Sequence, residues 1–420
     1  MAVIVLLFGF GFAFLFATTL IILHNRKHFK GLASLARLMP DTTDDTEGIN
    51  KLVSNVKNGN IDSDYRFPLV SILIPARNEE QKLSRLLASI EKQNYSRLEI
   101  HVLDDHSEDR TQEIANDFAS ASRFPVVVHA GLEKPDGWLG KNWACHQLAG
   151  HAAGDVLIFL DADTWIASTG ISEIMNAMRY YELDFATVWP HQVMHTSMEK
   201  AVVSNVYATI ATYLPTLYSY RAPRWIPTER LRNSIKPMFA TACGQCMIFT
   251  RDAYKSSGGH AFVRDQVVED VMIARQVVRS GNTMRMFHGT DRLWCRMYQS
   301  HHEIFNGFRK NFFAGFGYRL MPFLLAWLIH LIVYIMPPFV LLSAAGGLFP
   351  DPFQSAAISL SAALIAIPFL QRVWVSRFLK WPVSTALLYL PGIFWFQMLA
   401  IVVIRDRMLK TGTTWKGRQV

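Results

Sequence analysis

Residues 156 to 163 read Val-Leu-Ile-Phe-Leu-Asp-Ala-Asp: an apolar run that stops at two carboxylates separated by one residue. Five buried strand residues would deliver Asp161 and Asp163 to the carboxyl edge of a sheet, where α/β proteins bind ligands. A period of two, or a tight turn, lets the two carboxylates converge. Such a pair suits a hard divalent cation, Mg²⁺ or Mn²⁺, with a phosphate as its other ligand. A solvated Asp-Ala-Asp turn is the plain alternative. Five further clusters weigh against it.

Pro75-Ala-Arg-Asn-Glu-Glu80 follows an earlier apolar run, with Arg77 fit to pair a diphosphate and Glu79 fit to take part in nucleoside recognition. Asp104-Asp105-His-Ser-Glu-Asp109 ends another run, where Asp105 could accept hydrogen bonds from a base or ribose and Ser107 could cap the next helix. In Trp138-Leu-Gly-Lys-Asn142, Gly140 permits close backbone approach and Lys141 supplies a point charge for phosphate. Glu269-Asp270 opens a helical pattern. Adjacent carboxylates cannot share a helix face, so Asp270 is the candidate general base and Glu269 caps or assists. The helix macrodipole would favour the same pair without any catalytic role. Arg296 and Gln299, in Arg292-Leu-Trp-Cys-Arg-Met-Tyr-Gln299, are candidates to hold a leaving diphosphate.

Alternating strands and helices must position these groups. Strands are expected at 69–75, 98–103, 126–129 and 156–160, and helices at 80–92, 110–119 and 271–279. That alternation predicts a mostly parallel α/β sheet with crossover helices, and mixed elements over 170–290. Cys243-Gly-Gln-Cys246 has zinc-like spacing, but there is no second such pair. The four cysteines are expected to be reduced, buried thiols.

Half of the 420 residues are hydrophobic and 18% are charged, too apolar for a wholly soluble chain. Residues 2–23 are uncharged and long enough to cross a bilayer. The basic flank His24, Arg26, Lys27, His28, Lys30 then points to the cytoplasm. It follows the apolar run instead of preceding it, which argues for an anchor over a cleaved signal peptide. Three more apolar runs cover about 321–346, 355–371 and 383–404, and Arg372, Arg377 and Lys380 between the last two are expected to be cytoplasmic. Pro391-Gly392 is expected to break the third run into a re-entrant or interfacial segment. Phenylalanines among Arg309, Lys310 and Arg319 suggest an interfacial amphipathic helix. The expected division is an anchor at 1–24, a polar linker at 25–66, a catalytic domain at 67–300, an interfacial helix at 301–320, membrane segments at 321–404 and a basic cytoplasmic tail at 405–420. The net charge of +8 sits beside the apolar segments and fits anionic lipid headgroups; nucleic acid is not an expected partner.

The order P-A-R-N-E-E, D-D-H-S-E-D, G-K, D-A-D, V-E-D resembles the family 2 glycosyltransferases over about residues 69 to 300. The resemblance implies a GT-A, Rossmann-like nucleotide-sugar-binding domain and a nucleotide-sugar site that includes Pro75, Arg77 and Glu79. Asp105 would meet the uracil of a UDP-sugar and Lys141 the diphosphate. Asp161 and Asp163 would form the D-x-D motif, with Asp163 on the metal. Asp270 would be the base. The Q-x-x-R-W box of the family's processive synthases is absent, which argues against long-chain polysaccharide synthesis. Trp138-Leu-Gly-Lys-Asn-Trp143, Cys-Gly-Gln-Cys and Thr414-Trp-Lys-Gly-Arg418 look like the membrane enzymes of bacterial terpenoid pathways, the carotenoid-acid (diaponeurosporenoate) and hopanoid-associated glycosyltransferases. The expectation is therefore a multi-pass plasma-membrane enzyme with a cytoplasmic catalytic domain. It would invert as it moves a hexose, glucose for preference, from UDP to a carotenoid or terpenoid acid or alcohol in the bilayer. Ceramide, glycerolipid and polyprenyl-phosphate acceptors are the alternatives, and a non-catalytic membrane subunit is the alternative of another class.

Overall fold

The structure, a computed structural model, describes residues 2–34, 68–223, 225–350, 352–409, 414–415 and 418–419. Most of the expected linker and much of the basic tail lie outside the described residues. The chain divides into two units: residues 30–191 with 219–295, and residues 1–29 with 192–218 and 296–420.

The first unit is built on an eight-stranded sheet. Its strands are β1 (Lys30–Gly31), β2 (Val70–Ala76), β3 (Leu98–Asp104), β4 (Val126–Ala130), β5 (Val156–Leu160), β7 (Phe185–Trp189), β9 (Cys246–Thr250) and β10 (Met284–His288). The spatial order is β1-β10-β7-β9-β5-β2-β3-β4. Short strands β6 (Thr164–Ile166), β8 (His191–Gln192) and β11 (Leu293–Cys295) form a second sheet. All five residues of β5 are buried, as a strand covered on both faces requires. The parallel pairing expected from the β-α alternation holds for β5-β2, β2-β3 and β3-β4. β9 departs from it and runs antiparallel to both β5 and β7. The β5-β2 ladder stops at Phe159↔Leu73, two residues short of Pro75, so the missing proline N–H breaks no bond on that side. The core joins Ile72, Ile74, Val102, Ile158, Ile248 and Phe287 with Leu83, Leu86, Leu87 and Ile90 of helix Leu83–Glu91.

The second unit is helical. Among the described residues, four helices are long and apolar enough to cross a membrane: Val3–His28, Leu320–Ala345, Phe353–Phe378 and Tyr389–Met408. The break expected at Pro391-Gly392 does not occur. Both residues sit in the first turn of helix Tyr389–Met408, where a missing N–H costs nothing. Gly392 serves contact instead. A Cβ there would lie 2.0 Å from the carbonyl oxygen of Ala201 and 2.1 Å from Nδ2 of Asn205. Asn205 Nδ2 donates to the carbonyls of Ala201 at 2.6 Å and Tyr389 at 3.2 Å. The glycine lets helix Tyr389–Met408 approach helix Ser197–Tyr213 closely. Because the obstruction is backbone, Gly392→Leu is expected to cost about 1–3 kcal/mol of overpacking. Lower yield and a lower thermal midpoint in detergent would show it.

Helix His301–Ala314 carries the phenylalanines read as an interfacial stripe. Phe308 packs against Trp395 and Phe396, and Phe312 against Phe323 and Phe396. Arg309 pairs with Asp406 at 2.6 Å.

Candidate active site

Asp161 and Asp163 leave the end of β5 in a turn closed by Thr164, whose N–H and hydroxyl donate to the Asp161 carbonyl at 3.1 and 2.8 Å. The chain then enters β6, which pairs with β11 so that Thr164 faces Cys295. The Cys295 thiol hydrogen-bonds the Asp163 carboxylate, and Gln245 Nε2 donates to the Cys295 sulfur at 2.8 Å. The other carboxylate oxygen, Asp163 Oδ1, is buried and has no hydrogen-bond partner among the described residues. Burial and the neighbouring Asp161 push the Asp163 pKa up to about 7.

Lys141 joins the remaining groups. Its Nζ lies 2.8 Å from Asp161 Oδ1, 2.9 Å from Oδ2 and 3.1 Å from Glu269 Oε1. Burial works to lower the Lys141 pKa, but Asp161 and Glu269 outweigh it and hold the ammonium charged. Asn142 fixes the geometry. Its buried Nδ2 donates to the carbonyls of Val263, Arg264 and Gln266, clamping the segment that leads into Glu269 and Asp270.

Glu269 and Asp270 turn to different partners, as adjacent positions at the start of helix Glu269–Arg279 must. Asp270 Oδ2 accepts from Gly244 N–H at 2.9 Å, and Oδ1 accepts from Val271 N–H at 2.8 Å. Burial and Glu269 outweigh these bonds and push the Asp270 pKa up to about 7. A Cβ at Gly244 would stand 3.2 Å from both Lys141 Nζ and Glu269 Oε1 and 3.5 Å from Asp270 Oδ2. Gly244 and Gln245 therefore belong to the site. In the sequence they were visible only as the middle of a cysteine motif, whose thiols are all free and buried.

At the ends of β2 and β3 the two expected loops are zipped together. Arg77 Nη1 donates to the Asp105 carbonyl at 2.7 Å, which ties that cation to the backbone of the candidate base-reading residue. Ser107 does not cap the following helix. It accepts from Asn78 N–H at 2.9 Å, while Glu79 and Glu80 N–H donate to Thr111 Oγ1 and Asp109 Oδ2. Arg296 and Gln299 belong to the helical unit. There Arg296 pairs with buried Glu199 at 3.2 Å, and Gln299 N–H donates to Glu303 at 2.9 Å.

The inner cluster thus holds four carboxylates (Asp161, Asp163, Glu269, Asp270) around the Lys141 ammonium, with the Lys82 ammonium also acting on Asp163. Burial first, and then the neighbouring carboxylates, raise the pKa values of Asp163 and Asp270, because like charges this close resist ionising together. A divalent cation at Asp163 Oδ1 would relieve that repulsion, so the residues present fit one. Among the described residues no three such side chains form a ready-made metal cage. The cation would take its other ligands from a phosphate and water, as Mg²⁺ commonly does.

Residues 71–258 match the glycosyl transferase family 2 model. Over 267 residues the chain is 25% identical to a 4,4'-diaponeurosporenoate glycosyltransferase of Staphylococcus haemolyticus, covering 62% of this chain and 66% of the relative, just under two thirds of its length. The Staphylococcus aureus protein of the same name is 23% identical over 280 residues, covering 65% of this chain and 69% of its own. Among solved structures, a Pyrobaculum calidifontis mannosyltransferase in complex with GDP-Man and Mn²⁺ aligns over 86% of this chain and 95% of its own, at 15% identity and a TM-score of 0.46. S. aureus TarS 1–349 in complex with UDP aligns over 83% and 95%, at 14% identity and a TM-score of 0.38. The stretch that matches the glycosyl transferase family 2 model runs from β2 to β9 and includes the carboxylate pair at the end of β5.

Proposed function

We propose that this protein is an inverting, divalent-metal-dependent glycosyltransferase that moves a hexose from a UDP-sugar to a lipid dissolved in the membrane, a terpenoid acid or alcohol by preference. One observation carries the reading: a Lys141-bridged cluster of carboxylates with an orphaned Asp163 oxygen, at the end of β5, in a chain with four helices fit to cross a bilayer. The kinship to diaponeurosporenoate glycosyltransferases supports the acceptor class. A multi-pass protein with its catalytic domain in the cytoplasm follows from the basic flanks.

In this reading Asp105 contacts the nucleobase and Arg77 holds the Asp105 backbone in place. Pro75 and Glu79 shape the same edge. Asp163, with Asp161 beside it, holds the metal, which when bound supplies Lewis-acid stabilisation of charge on the departing diphosphate. Lys141 lies between Asp161 and Glu269 and meets the diphosphate as a point charge. Asp270, aligned by Gly244 N–H and Val271 N–H, takes the proton of an acceptor hydroxyl in a single displacement. Glu269 keeps Lys141 positioned and, by its charge, keeps Asp270 basic.

The test is direct. Membranes containing the protein are incubated with labelled UDP-glucose, UDP-galactose, UDP-N-acetylglucosamine and GDP-mannose, and the lipid extract is examined by mass spectrometry. The expected result is a labelled, organic-soluble product carrying one hexosyl residue, formed from UDP-glucose and lost with chelator. Label appearing only in water-soluble or polymeric product would overturn the reading.

A further inference from the structure

We propose that residues 221–239 form a surface that docks on anionic lipid headgroups. The inference goes beyond the proposed reaction and needs only a chain held in a membrane by its apolar helices.

The segment lies just past the point where the chain leaves the helical unit and re-enters the first unit, at residue 219. It holds Arg221, Arg224, Arg230, Arg232 and Lys236 against a single acid, Glu229. Three large apolar side chains stand out of the same stretch: Trp225 is 73% exposed, Leu231 49% and Met238 69%. Buried Pro223, Ile226 and Pro237 pin the segment to its unit. Helix Glu229–Ile235, between those pins, has no buried residue. Isolated helices shorter than about 12 residues are marginal in water, so a helix this short and this bare calls for cover from outside. Leu231 and Ile235 are four apart and share a face, and Met238 follows in the 3₁₀ turn Lys236–Phe239.

The cations decide what the cover is. Arg221, Arg230 and Lys236 make no ion pair among the described residues. Arg232 Nε is buried without a partner among the described residues, and Nη2 reaches only the Pro227 carbonyl, at 3.5 Å, the far limit of a hydrogen bond. Burial lowers the Lys236 pKa, and no carboxylate opposes it. A second copy of this chain would set these like charges against one another. An anionic bilayer surface supplies both things the segment lacks: negative charge at headgroup level for the arginines and lysine, and an apolar layer beneath it for Trp225, Leu231 and Met238. The place of the segment in the chain gives the surface a use. The turn Lys236–Phe239 packs against helix Glu269–Arg279, and the chain then runs on to Gly244, which donates to Asp270. Docking would hold the start of that helix at the bilayer surface.

The test uses the full chain with Met238→Cys carrying an environment-sensitive nitrobenzoxadiazole label; the native thiols are buried. Nanodiscs contain phosphatidylcholine alone, or with a third of it replaced by phosphatidylglycerol, and in both a phosphatidylcholine with a nitroxide near its headgroup serves as quencher. Each cation at an anionic surface contributes about fivefold, so the docked-to-undocked ratio read from quenching should rise at least about tenfold with phosphatidylglycerol. Salt at about 1 M, where the screening length falls to about 3 Å, should remove most of the rise. Arg221→Gln, Arg230→Gln and Lys236→Gln together should abolish it, whereas Arg221→Lys, Arg230→Lys and Lys236→Arg together should keep it. UDP affinity should match that of the native chain in both variants, which shows that they are folded; the salt series on the native sequence decides the matter if the Gln variant does not fold. Equal quenching in the two lipids, a rise that high salt leaves intact, or one that survives in the folded Gln variant, overturns the site. An equal rise for a label at Val127→Cys, on the edge strand β4, means adsorption of the whole unit and overturns it too. Label protection that grows with protein concentration in detergent, without lipid, assigns the surface to a second copy and overturns the lipid reading. None of these outcomes depends on sugar transfer, so the proposed reaction can fail while the surface stands, and the reverse.

Discussion

Asp163→Ala is expected to abolish turnover and to remove the divalent-cation dependence of UDP-sugar binding. Asp163 is the one carboxylate of the inner cluster with a buried, unpartnered oxygen; Asp161 and Glu269 already share Lys141, and both oxygens of Asp270 accept backbone N–H groups. Removing it takes away that open ligand position. Loss of a Lewis acid at a departing diphosphate forfeits several kcal/mol of transition-state stabilisation, at least about 10³-fold in rate. Titration calorimetry with UDP, with and without Mn²⁺, separates the loss of metal from a loss of fold. The native protein should bind UDP more tightly with the ion, and the variant should bind it equally with and without. A native protein that turns over in excess chelator would sink the metal role outright.

Much of this site was legible because it depends on local pattern. Five apolar residues ending in Asp-Ala-Asp can be little other than a buried strand delivering carboxylates to its edge, and β5 begins and ends where the run does. The neighbouring elements were displaced by only a few residues. Helix Leu83–Glu91 starts later than its periodicity suggested; residues 78–80 ahead of it donate their N–H groups to the Ser107–Thr111 loop. What escaped notice lies between residues far apart in the chain. Gly244 enters the cluster through the turn before β9, the one antiparallel insertion into the parallel region, and no local signal marks a strand's direction. The Lys141 bridge to Glu269 depends on Asn142 gripping residues 263–266 across more than a hundred positions. Pro391-Gly392 looked like a break because both residues disfavour helix interiors. Only tertiary structure shows the proline in a first turn and the glycine against Ala201.

Asp270→Asn is expected to lower kcat for a hydroxyl acceptor by about 10²–10⁴-fold, the usual contribution of a general base, and to leave UDP-sugar affinity intact. Affinity should survive because the substitution removes a negative charge from an already acidic cluster that must admit a diphosphate. The amide oxygen can still accept from Gly244 N–H, so the start of helix Glu269–Arg279 should hold its place. The pH profile gives an independent check. Burial and Glu269 raise the Asp270 pKa to about 7, so the carboxylate is ready to accept a proton above that pH and already protonated below it. With a hydroxyl acceptor the native rate should fall about tenfold per unit as pH drops below about 7, and the limb should vanish along with most of the rate in Asp270→Asn. A carboxylic acid acceptor changes both outcomes. It ionises near about pH 4 and brings its own nucleophile, so there is no proton for Asp270 to take. With such an acceptor, Asp270→Asn should cost much less and the acid limb should move down by about three units. Measuring the variant with matched acid and alcohol acceptors therefore reports the acceptor's chemistry as well as the base. Equal losses for both would mean that Asp270 acts by positioning the acceptor and not by moving a proton.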